Sequence, residues 1–307
     1  MAGLRRQETL TGAEAMVRRG AEHAAPWRWA KQAGLFFRRK PMGAVGAMSL
    51  IVVVLAAILA GLIAPYDPLV QDVPSRLQPP SAQHLFGTDE FGRDVFTRIL
   101  FGARVSLYVG LLSVLSSSAM GTIVGVGSGY LGGKLDLAVQ RVVDALMGFP
   151  ALVIAILLIA ALGSSLNNVV IAISIAFAPR LARIARSTAL SVKENDYVLA
   201  ATALGAGTLR VLVYHVIPNC LTPLIVISTG YLGSAIVAEA ALSFLGLGVP
   251  PPHPSWGQML QGAARRYTEA APWMVVFPGV ALTVAVFGFN LFGDALRDTL
   301  DPRLRGR

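Results

Sequence analysis

The sequence predicts an all-α membrane protein with six transmembrane helices. Its 307 residues are 54% hydrophobic and only 14% charged, and their mean hydropathy is +0.62. A soluble domain is typically about one quarter charged, so the composition already places most of the chain in a bilayer. Several uncharged runs reach the roughly 20 residues that a helix needs to cross a membrane. Because lipid offers the backbone no hydrogen bonds, these runs are predicted to be helical.

A basic segment, residues 1–40, precedes the first run and is predicted to be a cytosolic tail. It holds nine Lys or Arg against three Glu. A basic tail can also bind nucleic acid, but the preference of Lys and Arg for the cytosolic side of membrane spans explains the charge without a further partner. Trp27 and Trp29 are typical of a helix at the membrane interface. The run 41–66 is the predicted first span, and it is too long for a signal-peptide core.

Residues 67–104 are predicted to form a loop on the outer side of the membrane. Prolines between positions 65 and 80 favour an extended chain in its first part. The second part, 86–107, predicts an amphipathic helix with Asp94 and Arg98 on one face and apolar residues such as Val95 on another. By itself this pattern indicates a helix at the membrane surface.

The region 105–297 is predicted to form a core of five further spans. In the second span, Gly121, Gly125 and Gly129 recur at the spacing that lets two helices pack closely. The uncharged stretch 145–179 is too long for one span.

A polar turn at 163–168 divides that stretch into a hairpin, spans three and four, whose tip is predicted outside. At the cytosolic start of span three, Arg141 is predicted to pair with Asp144. Spans five and six are predicted at about 218–239 and 270–293. The loop between them is rich in Gly and Pro and is predicted on the outer side.

The distribution of positive charge supports this topology. With both termini in the cytosol, including a short C-terminal tail at 298–307, the inner segments hold 20 Lys or Arg and the outer segments hold six. This bias is the one that the positive-inside rule requires.

Between spans four and five, the segment 195–218 predicts a helix, a turn and a second helix. Asn195 or Asp196 can cap the first helix, and Gly205 supplies the left-handed residue that ends it. Thr208 can cap the second helix, which is predicted to stop at Pro218. The pattern alone fits a structured connector between two spans as well as a docking element.

The spacing within this segment resembles the cytoplasmic coupling loop, the EAA motif, of permease subunits in ATP-binding cassette importers. Gly205 follows the pair Ala200-Ala201 by four residues, and Pro218 follows Gly205 by thirteen. Leu199 stands where the family usually has Glu, which removes a charged contact to the ATPase. The residues that the resemblance implies for ATPase coupling are Asp196, Tyr197, Leu199, Ala200, Ala201, Leu204, Gly205, Ala206, Gly207, Arg210, His215 and Pro218.

Two outer segments resemble the permeases of dipeptide, oligopeptide and nickel importers in particular. One is the stretch 86–107, and the other runs from Ser243 through Gly246 and three prolines to Trp256 and Gly257. Trp256 is predicted to face outward, as an interfacial anchor or a contact for a binding protein. The outer residues of this family pattern are Gly87, Asp89, Gly92, Arg93, Asp94, Arg98 and Trp256.

The resemblance implies a type I ABC importer permease fold and one permease subunit in the cell inner (cytoplasmic) membrane. Its implied partners are a second homologous permease, two ATPases that bind ATP and Mg²⁺, and an extracytoplasmic substrate-binding protein. Peptides are the implied substrates, with nickel chelates or another small solute as the alternative. We expect no partnership with nucleic acid.

Other function classes find less support in the sequence. The chain has no phosphate-binding GxxxxGK[ST] loop and no cluster of catalytic or metal-ligating residues, so we expect neither enzyme activity nor a bound metal or cofactor. The lone Cys220 fits a packing role. A secondary transporter or channel would normally show ionisable residues at mid-bilayer, and none is evident.

Overall fold

The computed structural model describes residues 41–300, and the predictions for the basic tail 1–40, including Trp27 and Trp29, and for residues 301–307 lie outside them. Helices account for most of the described part of the chain, in which the sole β pairing is an isolated bridge between Thr88 and Asp94. The chain starts with α1 (Pro41–Ile58) and the single turn α2 (Ala60–Ile63). They occupy the stretch predicted as the first span.

Helix α3 (Val95–Leu131) is the central element of the bundle. Its 37 residues make it about 55 Å long. The predicted surface helix at 86–107 is wrong for residues 86–94, which form a loop, and from Val95 it continues into the predicted second span because no Pro or helix-ending turn separates them. Asp94 lies before this helix and caps it, accepting a hydrogen bond from the backbone N–H of Thr97 at 2.8 Å. The expectation that Asp94 and Arg98 share a helical face is wrong.

The predicted close packing of the glycine repeat is confirmed. Helix α6 (Leu166–Lys193) lies directly against α3 at these positions. A Cβ atom on Gly121 would lie 2.7 Å from the Cβ of Leu181, and one on Gly125 would overlap the carbonyl oxygen of Ala182. Small residues thus bring the two backbones together, as in many membrane helix pairs.

Two helices bent by 92°, α4 (Gly133–Met147) and α5 (Ala151–Leu162), lead into α6. The predicted pairing of Arg141 with Asp144 is wrong. Asp144 instead forms an ion pair with Arg183 on α6, and Asp136 pairs with Arg186 on the same helix. Because α6 packs beside α4, its arginines reach these carboxylates across the helix pair.

The polar turn at 163–168 separates α5 from α6 as predicted. Gly163 has a positive φ of 81°, a conformation that favours glycine. The hydroxyl of Ser165 caps α6 by accepting a hydrogen bond from the backbone N–H of Asn168.

The chain continues with two short helices, α7 (Asp196–Ala203) and α8 (Thr208–Val211), and a π-helical turn, Leu212–Val216. Three helices follow. They are α9 (Ile217–Phe244), α10 (Trp256–Arg266) and α11 (Trp273–Leu300).

Within residues 41–300, five helices are long and apolar enough to cross a membrane, and the number rises to six if α4 and α5 form one broken span. The five are α1, α3, α6, the run 208–244 and α11. The predicted all-α membrane fold is therefore confirmed. Helix α3 contacts α1, α6 and α9, and α11 closes the bundle by packing on α1 and α9.

Candidate functional site

The turn after α7 has the geometry that the sequence predicts. Gly205 has a φ of 82°, and the N–H groups of Gly205 and Ala206 bond to the carbonyl oxygens of Thr202 and Ala201. This pair of bonds defines a Schellman motif, which ends a helix at a left-handed residue. A Cβ atom on Gly205 would contact nothing within 4 Å, so the requirement for glycine comes from the backbone alone.

The second helix differs from the prediction at both of its ends. Gly207, and not Thr208, occupies the capping position, and its helix makes no side-chain cap. Pro218 does not end the helix either. A π-helical turn precedes Pro218 and widens the backbone, so that the proline falls in the first turn of α9 and the chain runs on to residue 244.

Three valines that the sequence analysis did not single out anchor this segment to the bundle. Val198, Val211 and Val216 are 2% exposed or less. They belong to one buried cluster with residues of α3, α6 and α9. The cluster consists of Val126, Ala185, Ala189, Val192, Val198, Val211, Val216, Cys220 and Leu224. The signal for these anchors is weak, because isolated valines in a mostly apolar sequence do not stand out.

None of the twelve predicted coupling residues is buried, although Ala201 and Ala206 pack against the buried cluster. Leu204 is 89% exposed, and Tyr197 and Leu199 are also exposed. The large exposed apolar residues here, which we call the coupling surface, are Tyr197, Leu199, Leu204, Leu209, Val213 and Tyr214. Leu199 thus presents an apolar side chain to the exterior at the position where the resemblance leads one to expect a carboxylate.

The chemistry of the coupling surface fits a protein partner. Several large apolar side chains are grouped on one short, well-anchored element, and the exposed Asp196 and Arg210 accompany them. An apolar patch with charged residues at its rim is typical of a docking surface between proteins.

The outer family pattern forms a separate and mostly buried polar network at the start of α3. Asp89 is its centre: one carboxylate oxygen accepts the backbone N–H groups of Phe91 and Arg93, and the other accepts Nε of Arg93 at 2.7 Å. The guanidinium of Arg98 lies 3.5 Å from the same carboxylate and donates to the carbonyl oxygen of Pro68. One buried carboxylate therefore orients two arginines and a turn of the backbone.

Two glycines of the same pattern allow the loop to pack tightly. Gly87 and Gly92 have positive φ angles of 73° and 74°. A Cβ atom on Gly92 would overlap the carbonyl oxygen of Asp72, and one on Gly87 would lie 2.6 Å from the carbonyl oxygen of Gln78. Any other residue at these two positions would be strained in its backbone and crowded.

The predicted role of Trp256 as an interfacial anchor or a contact for a binding protein is wrong, because both roles need an exposed side chain. The side chain is 1% exposed, and its Nε1 donates to the carbonyl oxygen of Ile99 at 3.1 Å. Gly102 makes room for the indole ring on α3. Trp256 therefore fixes α10 to α3, and in this conformation it offers no surface to a partner.

An ionisable residue at the predicted end of span five also received no functional role from the sequence. Glu239 lies within α9, since that helix continues to Phe244, and the carboxylate is fully buried. A single Glu close to the end of an apolar run was its only signal. Within residues 41–300, no group of three or more metal-ligating side chains comes together.

The sequence matches two known protein families. Residues 121–306 match the family described as binding-protein-dependent transport system inner membrane component. Residues 28–80 match the N-terminal transmembrane domain of oligopeptide transport permease C.

Curated proteins resemble the chain over most of its length. A putative peptide transport system permease protein of Brucella suis biovar 1 (strain 1330) is 49% identical over 261 residues, which are 85% of this chain and 88% of the relative. The dipeptide transport system permease protein DppC of Alkalihalophilus pseudofirmus is 42% identical over 92% of this chain and 91% of its own length. The glutathione transport system permease protein GsiD of Escherichia coli O6:K15:H31 is 40% identical over 88% of this chain and 89% of its own length.

Proposed function

The chain belongs to the family of binding-protein-dependent transport system inner membrane components, and from this premise we propose that it is one permease subunit of an ATP-driven importer of small peptides. Its relatives are named as permease proteins for peptides, dipeptides and glutathione, which share the peptide backbone. The type I permease fold of this family agrees with the helical bundle. The subunit provides part of the path through the membrane, and the energy comes from other subunits.

The coupling surface is the observation that carries the ATPase part of the proposal. It exposes Leu204 and Tyr214 strongly, yet Val198 and Val211 hold the segment firmly in the bundle. A partner that binds this surface can therefore transmit a movement to α3 and α6 without unfolding the segment. We propose two ATPase subunits as partners of the assembled importer, with ATP and Mg²⁺ bound by them and no cofactor on this chain.

A second homologous permease is the proposed partner within the membrane. A groove of about 440 Å³ between α3 and α9 is lined almost entirely by apolar surface, because the hydroxyls of its serines and threonines are bonded within the bundle. The hydroxyls of Ser118 and Ser228 lie 2.7 Å apart in this groove. A concave face between two spans that contains small residues such as Ser118 and Ala119 lets another helix pack closely, which supports contact with a second permease.

The proposed orientation places the coupling surface in the cytosol and the 65–94 loop outside, where a substrate-binding protein would deliver peptides. Asp94 is nearly buried, so its position suits labelling poorly, whereas Leu85 and Leu204 are well exposed. In a Cys220→Ala background, an impermeant maleimide added to intact cells should label Leu85→Cys and not Leu204→Cys. The reverse pattern would contradict the orientation.

Uptake by the reconstituted importer tests the function. Vesicles that contain both permeases, the ATPases and the cognate binding protein should accumulate a labelled dipeptide only when ATP is present on the ATPase side. Transport by the permease pair without ATPases would instead identify a secondary carrier or channel. Competition between the labelled dipeptide, glutathione and a nickel chelate would decide the substrate, and uptake of nickel alone would refute the peptide assignment.

A further inference from the structure

Glu239 forms the centre of a buried polar cluster that the importer function does not by itself explain. Its side chain is 0% exposed, although it lies five residues before the end of α9. One carboxylate oxygen accepts a hydrogen bond from the hydroxyl of Ser243 at 2.8 Å, and the other accepts from the hydroxyl of Ser106 at 3.0 Å. Among the described residues, no basic side chain forms an ion pair with it.

The serines of this cluster come from three different elements. Ser106 belongs to α3, Ser243 to the last turn of α9, and Ser255 is the capping residue of α10. The hydroxyl of Ser255 lies 3.4 Å from that of Ser243. The same Ser243 oxygen also accepts the backbone N–H of Val249 at 3.4 Å. The cluster thus joins both ends of the segment 245–255, which links α9 to α10, to the side of α3.

The backbone around the cluster is packed as tightly as glycine allows. A Cβ atom on Gly248 would overlap the hydroxyl of Ser243, and one on Gly257 would lie 2.5 Å from the backbone of Ala240. The linking segment is therefore folded back onto α9 and has little freedom while the cluster is intact. A buried carboxylate is costly in a membrane protein, and such residues are usually retained for function. An apolar side chain would fill the same space but would leave two hydroxyls without an acceptor.

We propose that Glu239 is a positioning residue whose carboxylate fastens the 245–255 segment and the start of α10 to α3, and so sets the shape of the outer mouth of the importer. The assignment of this end of the bundle to the outer mouth rests on the proposed function. The fastening itself rests only on the contacts of Glu239 with Ser106 and Ser243. The carboxylate accepts two hydrogen bonds, and a glutamine amide of the same shape can still bond to both serines, by accepting from one hydroxyl and donating to the other.

Cysteine labelling of the purified complex tests the fastening. In a Cys220→Ala background, Val249→Cys is the local reporter, because Val249 is 7% exposed and lies in the fastened segment. Val198→Cys is the second reporter. Val198 lies on α7, is 2% exposed and packs in the buried cluster that includes Val126 of α3, so its labelling reports on loosening of the whole bundle. We expect Glu239→Ala, which removes both hydrogen bonds, to raise the rate of labelling of Val249→Cys by N-ethylmaleimide at least about tenfold. Labelling of Val198→Cys should be unchanged.

Two further variants keep the test decisive if Glu239→Ala fails to assemble. Ser106→Ala removes one donor from the cluster and should raise labelling of Val249→Cys severalfold. Ser117→Ala is its matched control, because this equally buried serine of α3 bonds only within its own helix. Glu239→Gln can keep a hydrogen bond to each serine, one accepted and one donated, and should keep labelling within about twofold of the parent.

Two results would overturn the proposal. One is equal labelling of Val249→Cys in Ser106→Ala, Ser117→Ala and the parent. The other is a Glu239→Gln variant that labels as fast as Glu239→Ala, since hydrogen bonds to the two serines would then not be what holds the segment. Labelling needs no transport, so either failure is distinct from failure of the proposed function, which parental uptake of a labelled dipeptide tests separately.

Discussion

The guanidinium of Arg186 donates two hydrogen bonds to the carboxylate of Asp136, from Nε at 2.7 Å and from a terminal nitrogen at 2.6 Å. The pair joins α6 to α4. Two parallel N–H···O bonds fix the relative orientation of two planar groups, which a single contact does not do. Helix α4 is otherwise mostly exposed, with Val143 as its one buried residue among those described.

Loss of this pair should loosen α4. We expect Arg186→Gln to lower the stability of the purified protein by about 1 to 2 kcal/mol, because both partners are only partly exposed. Arg141→Gln is the control, since Arg141 is exposed and does not form the pair that the sequence predicted. Thermal unfolding measures both variants. Equal melting temperatures for the two would show that the α4 to α6 pair contributes nothing.

The contact of α3 with α6 should tolerate no side chain at Gly125. A Cβ atom there would meet the backbone of Ala182, which has no flexible end that could move away. We expect Gly125→Ala to cost about 1 to 3 kcal/mol and to lower the amount of protein in the membrane. Gly127→Ala, on the same helix with nothing within 4 Å, should be neutral or slightly stabilising. Similar abundance of both variants would contradict this account of the packing.

The turn of the coupling segment should depend on the φ angle of Gly205. We expect Gly205→Ala to strain the backbone by about 1 kcal/mol and Gly205→Val to strain it more, which re-aims α7 relative to α8. Peptide uptake and retention of the ATPases should fall while permease abundance stays normal. Gly207→Ala is the matched control, because Gly207 has an ordinary φ of −65° and equally open surroundings. Wild-type uptake by Gly205→Val at normal abundance would refute the coupling role.

The coupling surface should act through its apolar side chains. Leu204→Ser removes the most exposed of them and should leave thermal stability unchanged within about 0.5 kcal/mol, because Leu204 packs on little else. Copurification of the ATPases should drop severalfold. Leu85→Ser, an exposed leucine in the 65–94 loop, should retain them fully. Full retention by Leu204→Ser would indicate that this leucine lies outside the docking interface.

The loop before α3 should depend on Asp89. We expect Asp89→Asn to cost about 3 to 5 kcal/mol, because it leaves the buried guanidiniums of Arg93 and Arg98 without their shared carboxylate. The neighbouring Glu90→Gln is the control, since Glu90 makes none of these hydrogen bonds and acts on Arg98 only through its charge. Thermal unfolding of the two variants tests the difference. A smaller loss for Asp89→Asn than for Glu90→Gln would be incompatible with the network described.

Several features of this protein follow from local sequence. The apolar runs required helices in a bilayer, and the turn residues Gly163 and Gly205 ended helices at the predicted places, because a positive φ angle is a local demand that glycine meets. The four-residue glycine spacing predicted a close helix contact, although it did not name α6 as the partner. The family pattern around 195–218 likewise marked residues that the fold leaves exposed.

Only the tertiary structure decided which charges are paired and which side chains are buried. Arg141 is nearer to Asp144 along the chain, yet Asp144 forms its ion pair with Arg183 because α6 packs beside α4. Trp256 and Glu239 belong to segments that the sequence assigned to a surface and to a span end, and both are buried because α10 folds back onto α3 and α9. Hydropathy and spacing act over a few helical turns, whereas burial depends on which distant helices meet, and that is set by the packing of the whole bundle.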